Sequence, residues 1–167
     1  MKKLRNVSIL LMLVLFVSCN IELPVPIVGC YRVAQFEEET FDSCYLQLKD
    51  DGTFILGQAG GATEERGFIF TGNWDMEMTA YDFKRANGKL YLTNVKGPSD
   101  DFEGLFLTAG ARNSYKFTWI KNKDTADATL ALESIDKYIC RDIATGFLIT
   151  EKTFNAAIEI IKGGNAK

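Results

Sequence analysis

Cys44-Tyr45-Leu46-Gln47-Leu48-Lys49-Asp50-Asp51-Gly52-Thr53-Phe54-Ile55-Leu56 is the stretch that decides the fold. Cys44, Leu46 and Leu48 alternate with Tyr45, Gln47 and Lys49, a period of two that belongs to a strand with one face turned inward. Asp51-Gly52 then supplies a tight turn, and Phe54 and Leu56 resume the apolar face on the way back. A hairpin is the simplest reading.

The same period runs outward in both directions. Upstream, Tyr31 and Val33 alternate with Cys30 and Arg32. Downstream, Gly57 to Gly61 reads as loop, after which Phe68, Phe70, Gly72 and Trp74 share one side against Ile69, Thr71 and Asn73. Tyr81 and Phe83 follow, Asn87-Gly88 reads as a second tight turn, and Leu90 and Leu92 extend the inward set. Lys96 to Asp101 is a loop by composition, leading to an expected strand through Leu105 and Leu107. Tyr115, Phe117 and Trp119 alternate with Lys116 and Thr118, and Leu130 and Leu132 alternate with Thr129 and Ala131, although 128–132 also suits a helix. Tyr138 to Arg141, carrying Cys140, reads as a short strand or an extended link. Only the end changes period: Thr150 can cap a helix in which Phe154, Ala157, Ile158 and Ile161 share a face, stopped at Gly163-Gly164. The expected fold is all-β, a small antiparallel barrel or strongly curved sandwich of about eight strands with one C-terminal α-helix.

The amino terminus has a different character. Lys2, Lys3 and Arg5 precede an apolar run from Val7 to Val17, and the small Ser18 stands before Cys19. This is the pattern of an export signal. As a helix the run covers only about half of a hydrocarbon core of about 30 Å, too short to span it. Phe16-Val17-Ser18-Cys19 resembles the lipobox of bacterial lipoproteins, with Phe16 where Leu is usual. The resemblance implies a diacylglyceryl thioether on Cys19, cleavage before it and acylation of the new amino terminus. The alternative is an ordinary secretory signal with an incidental cysteine. Acyl chains contribute about 0.8 kcal/mol per buried CH₂, so two or three of them hold a protein on a bilayer.

The expected organisation is a signal peptide over 1–18, a tether over 19–26 in which Pro24 and Pro26 resist regular structure, and one domain over 27–167. The chain carries 19 Lys and Arg against 22 Asp and Glu, and the signal holds three of the cations, which leaves the remainder at −6. Such a balance argues against nucleic acid or an anionic membrane surface as partner.

A second resemblance rests on residues 45–54 quoted above, on Gly72-Asn73-Trp74 and on Asn87-Gly88-Lys89-Leu90-Tyr91-Leu92, with Gly29-Cys30-Tyr31 at the opening position. Together these look like the bacterial lipocalin-like lipoproteins. The likeness spans about Gly29 to Leu92 and implies an eight-stranded barrel whose mouth takes a small apolar ligand. Tyr31 stands where true lipocalins carry tryptophan.

Chemistry is limited by what is missing. With no histidine, Ser–His–Asp and Cys–His catalysis are excluded, and so are histidine zinc sites. Gly57 to Gly61 lacks the Lys-Ser/Thr and the helix of a phosphate loop. Asp75 and Glu77 fall on the solvent side, where a general acid of raised pKa is not found. Asp100, Asp101 and Glu103 read as a charged loop without the EF-hand pattern. Neither a metal nor a cofactor is expected, and no enzymatic activity.

Of the thiols, Cys30, Cys44 and Cys140 remain once Cys19 is acylated. A hairpin turning near Glu39 and Thr40 separates Cys30 from Cys44 by roughly 20 Å, beyond disulfide reach. A Cys30–Cys140 pair is therefore favoured over Cys44–Cys140, with three reduced thiols as the other possibility.

Phe54, Phe68, Phe70, Trp74, Tyr115, Phe117 and Trp119 all fall on the inward face. They either fill the barrel or line a ligand pocket. The leading expectation is a non-enzymatic lipoprotein of the bacterial cell envelope, on the outer membrane or its periplasmic face, binding a small hydrophobic molecule. The alternative is an interaction or inhibitor lipoprotein whose loops, around 57–66 and 96–101, dock an envelope or secreted protein.

Overall fold

The computed structural model describes residues 25–35, 44–59, 67–99, 107–122, 127–135 and 143–163. Eight antiparallel strands run in chain order: β1 (Gly29–Gln35), β2 (Cys44–Leu48), β3 (Thr53–Gln58), β4 (Phe68–Asp82), β5 (Arg85–Lys96), β6 (Asn113–Lys121), β7 (Ala128–Ser134) and β8 (Ile143–Ile149). One helix follows, α1 (Glu151–Gly163). Each strand pairs with the next and β8 returns to β1, closing a barrel. The fold is the all-β antiparallel barrel of eight strands with a C-terminal helix, and of the two architectures the alternation allows it is the closed barrel, not the curved sandwich.

The decisive hairpin forms as expected. Leu48 stands opposite Phe54, and the Asp51 carboxylate accepts from the Thr53 amide and hydroxyl at 2.9 and 2.6 Å while Gly52 takes φ of 78°. That backbone conformation costs glycine little.

Three expectations change. Asn87-Gly88 is not a turn: the chain reverses at Phe83-Lys84, where the Asp82 carboxylate accepts from the Lys84 and Arg85 amides at 2.8 and 2.7 Å. Short carboxylate contacts to successive amides outcompete the Asn-Gly preference. Phe83 consequently sits on the turn, 80% exposed, rather than inside. Leu107 is fully buried but belongs to no strand. The strand that closes the barrel is Ile143–Ile149, an Ala-Thr-Gly-Phe run with little alternation, whereas Leu105 and Tyr138 to Arg141 lie outside the described residues. The helical option for 128–132 is ruled out by the pairing of β7 with β6 and β8.

Side chains divide into two cores. The barrel interior holds the inward residues of all eight strands. Outside, α1 lies across β1 to β4, burying Phe154, Ile158 and Ile161 against Cys30, Tyr45, Ile55, Ile69 and Ile149. This explains why those strands are apolar on their outer face as well. Thr150 caps the helix, its hydroxyl accepting from the Thr153 amide at 3.2 Å. Gly57 makes room for it, since a Cβ there would stand 2.4 Å from Cδ1 of Ile158. Each fully buried side chain of this kind contributes roughly 1.5–3 kcal/mol.

The long connections, 36–43, 59–67, 97–112 and 135–142, all leave from one end of the barrel. The short ones, 49–52, 83–84 and 122–127, lie at the other, where β1 begins. Residues 1–24, the expected signal and most of the tether, are outside the described residues, as is Cys19. Among the described residues no helix is long and apolar enough to cross a membrane.

Candidate functional site

The barrel interior is the candidate site, and the seven aromatic side chains expected there are brought together. Phe54 comes from β3, Phe68, Phe70 and Trp74 from β4, and Tyr115, Phe117 and Trp119 from β6, all in one cluster. Large rings are matched to small neighbours across the sheet: Phe54 faces Gly72, Phe117 faces Gly88 and Trp119 faces Ala86. Alternating large and small positions in this way lets rings interdigitate inside a narrow barrel. Phe54, Phe70, Tyr115 and Phe117 keep at most 2% of their surface, and Trp119 keeps 8%. The middle of the barrel is therefore filled by its own side chains.

Phe68 and Trp74 are only half-buried, and they lie toward opposite ends. Phe68 stands opposite Gln58, which in turn faces Cys44, at the end from which the long connections leave. Trp74 lies toward the short-turn end, where its indole N–H donates to the Lys49 carbonyl at 2.8 Å and ties β4 to the β2–β3 turn. Sequence reasoning left Cys44, Met76, Tyr81 and Leu148 out of the site, although all four pack partly buried against the same cluster. The alternation signals the first three. Leu148 lies on β8, whose pattern carries no such signal.

Among the described residues the interior holds no charged side chain. Among the described residues the only buried polar side chains are Gln47 and Asn113, and neither carries charge. Asn113 is satisfied locally, accepting from the Thr108 amide at 2.9 Å and donating to the carbonyls of Thr108 and Ala111. The Tyr31 hydroxyl donates to the Ile27 carbonyl at 3.0 Å, and burial pushes its phenol far above the usual range. The Trp119 indole N–H pulls weakly against that rise but finds no acceptor in hydrogen-bonding geometry.

Burial alone pushes the Cys44 thiol up to about 12 from 9.0. A raised folded pKa favours the folded state below the unfolded value, so this contribution is intact below pH 9 and is lost as pH rises from 9 toward 12. With so little thiolate at pH 8, half-buried Cys44 should react with iodoacetamide more slowly in the native protein than in urea; equal labelling rates in both states would contradict the raised thiol. Mass spectrometry of the Cys44 peptide reads the difference.

Cys30 and Cys44 carry free thiols, and they face different cores: Cys44 packs with the interior, Cys30 under α1. Cys44 pairs with Val33, only three positions along β1 from Cys30, so the two lie nearer than the 20 Å expected from a turn at Glu39 and Thr40. Cys140, the expected partner of Cys30, lies outside the described residues. Burial, followed by the Glu151 charge, raises the Cys30 thiol. Asp75 and Glu77 are exposed, as the alternation predicts. Asp100, Asp101 and Glu103 are outside the described residues. Among those described, no three His, Cys, Asp or Glu side chains come together in a way that could hold a metal ion.

Two open hollows mark the outer wall, of about 560 Å³ beside Gly29, Gln47 and Glu151 and about 620 Å³ beside Thr53, Thr71 and Asn94. Of the seven aromatic residues only Phe54 borders either of them. No family model, no curated protein and no solved structure matches the chain.

Proposed function

We propose that this chain is a non-enzymatic lipoprotein of the bacterial cell envelope, anchored through acylated Cys19, whose barrel takes up a small, uncharged hydrophobic molecule. The observation that carries the ligand reading is the convergence of seven aromatic side chains in a closed barrel with no buried charge among the described residues. Eight strands enclose either a filled core or room for one small ligand. Because the middle is filled, the ligand enters beside half-buried Phe68 and Cys44, at the end framed by the long connections.

An interior without a cation sets the polarity of the ligand. Burying a carboxylate unpaired is far more costly than burying a hydroxyl. Purified full-length protein, titrated with a long-chain alcohol and with the matching fatty acid at pH 8, should show a saturable change in tryptophan emission. The alcohol should bind at least about tenfold more tightly, a difference of about 1.4 kcal/mol. Flat titrations with both probes, together with an organic extract of the purified protein that contains no small molecule, would remove ligand binding. Preference for the carboxylate would overturn the uncharged-ligand reading.

A further inference from the structure

At the short-turn end of the barrel, exposed cations gather on the β4–β5 turn and the adjoining end of β6, whereas Asp50 and Asp51 lie on the β2–β3 turn and Glu151 opens α1. There the β4–β5 turn lies against the end of β6, joined by the Lys121 amide donating to the Lys84 carbonyl at 2.8 Å. Phe83 projects from the β4–β5 turn with 80% of its surface in solvent, its ring 6.1 Å from that of Tyr81. Ile120, next to Lys121, is 41% exposed. Lys84, Arg85 and Lys121 are exposed around them, and none has an ion-pair partner among the described residues. Among the described residues of the β4–β5 and β6–β7 connections the acids are Asp82, whose carboxylate is held by the amides of its own turn, and Asp127 at the start of β7.

An exposed ring among exposed cations is how water-soluble surfaces meet the interface of a bilayer. Aromatic and aliphatic side chains enter the headgroup boundary, and Lys or Arg meet anionic headgroups at the surface. Charges beyond about 8–10 Å are screened at physiological salt, so a local cluster acts independently of the chain's net charge of −3. Position supports the same partner. The chain enters the barrel at Gly29, at this same end, and the ten residues from Cys19 to Gly29 span at most about 36 Å. An anchor at Cys19 thus holds this end, rather than the end with the long connections, within reach of the membrane.

We infer that the β4–β5 turn and the adjoining end of β6, with Phe83, Lys84, Arg85, Ile120 and Lys121, form a docking surface for a bilayer containing anionic headgroups. It seats the anchored barrel with its long-connection end turned away from the membrane. The inference takes its orientation from the Cys19 anchor and is independent of whether the barrel binds a ligand.

The test uses full-length acylated protein carrying Phe83→Trp, reconstituted on vesicles of phosphatidylcholine alone or mixed with phosphatidylglycerol, with the unsubstituted protein as the baseline for Trp74 and Trp119. Docking should shift the added emission to the blue and make it quenchable by brominated lipid on the anionic vesicles. Replacing Lys84 and Lys121 by alanine should lower the docked-to-undocked ratio about fivefold for each lysine. An added emission that stays solvent-like on both vesicle types would overturn the inference. So would insertion equal on both and unaffected by the lysine replacements, which would show anchoring alone, or insertion that needs an added acidic protein. Mass analysis of the amino-terminal peptide from the same sample separates the two readings. Acylated Cys19 with an undocked tip sinks only the docking surface, and an unmodified Cys19 sinks the anchor together with the orientation drawn from it.

Discussion

Phe117→Ala should destabilise the protein by about 3–5 kcal/mol, read as a lower urea midpoint at unchanged slope. The ring keeps 2% of its surface and is held between Gly88 of β5 and Leu132 of β7. Neither neighbour can close the space, since Gly88 has no side chain and the strands on both sides are fixed by ladder hydrogen bonds. The loss therefore combines transfer of a phenyl group with a cavity that does not collapse. Phe83→Ala is the internal comparison: its ring is 80% exposed, and the same change should stay within about 0.5 kcal/mol. Equal losses at the two positions would mean that Phe117 does not lie in a packed interior.

Gly88→Val should cost about 3 kcal/mol or more for a different reason. A Cβ at this position would stand 2.1 Å from the Glu77 carbonyl oxygen and 2.8 Å from Cε1 of Phe117. The first contact is with backbone, which moves only if the β4–β5 pairing moves with it. Register already shifts there, between Met78 and Ala80. A β-bulge draws the Glu77 peptide across the ladder, and only a residue without a side chain lets it pass. Gly163→Ala, whose added methyl would meet nothing within 4 Å, should be near neutral in the same unfolding measurement. A Gly88→Val protein as stable as the parent would contradict the close approach at the bulge.

These two positions also show where the sequence speaks and where it does not. Phe117 is legible because Tyr115, Phe117 and Trp119 alternate with polar residues, and that pattern depends only on one face being buried. Gly88 is misleading because Asn-Gly is the usual signature of a two-residue turn, whereas its role here is spatial and set by strands that meet only after folding. Moving the reversal to Phe83-Lys84 depends on the Asp82 carboxylate capping two amides, a contact that composition alone does not single out. β8 escapes notice for the opposite reason. Gly146 takes an inward place where the Tyr31 side chain needs the space, and Phe147 points outward at 50% exposure, so the apolar face is interrupted.

The outer apolar face under α1 is equally hidden. Tyr45, Ile55 and Ile69 look like interruptions of a polar face until the helix is laid across them. Its own amphipathic spacing is clear, but nothing local says which strands it covers. For the site, the seven aromatic positions are legible because each is an inward member of an alternating strand. That their rings fill the middle of the barrel depends on how the eight strands close, and so does the uncharged character of the interior.

Closure of the barrel is the claim on which the packed interior, the entrance beside Phe68 and the placing of both ends depend. Cross-strand nuclear Overhauser contacts between β1 and β8 test it most directly. The structure predicts backbone contacts between Tyr31 and Leu148 and between Val33 and Gly146, with slow amide exchange along both strands. No such contacts, with β1 amides exchanging as fast as those of an open sheet edge, would show that the sheet does not close.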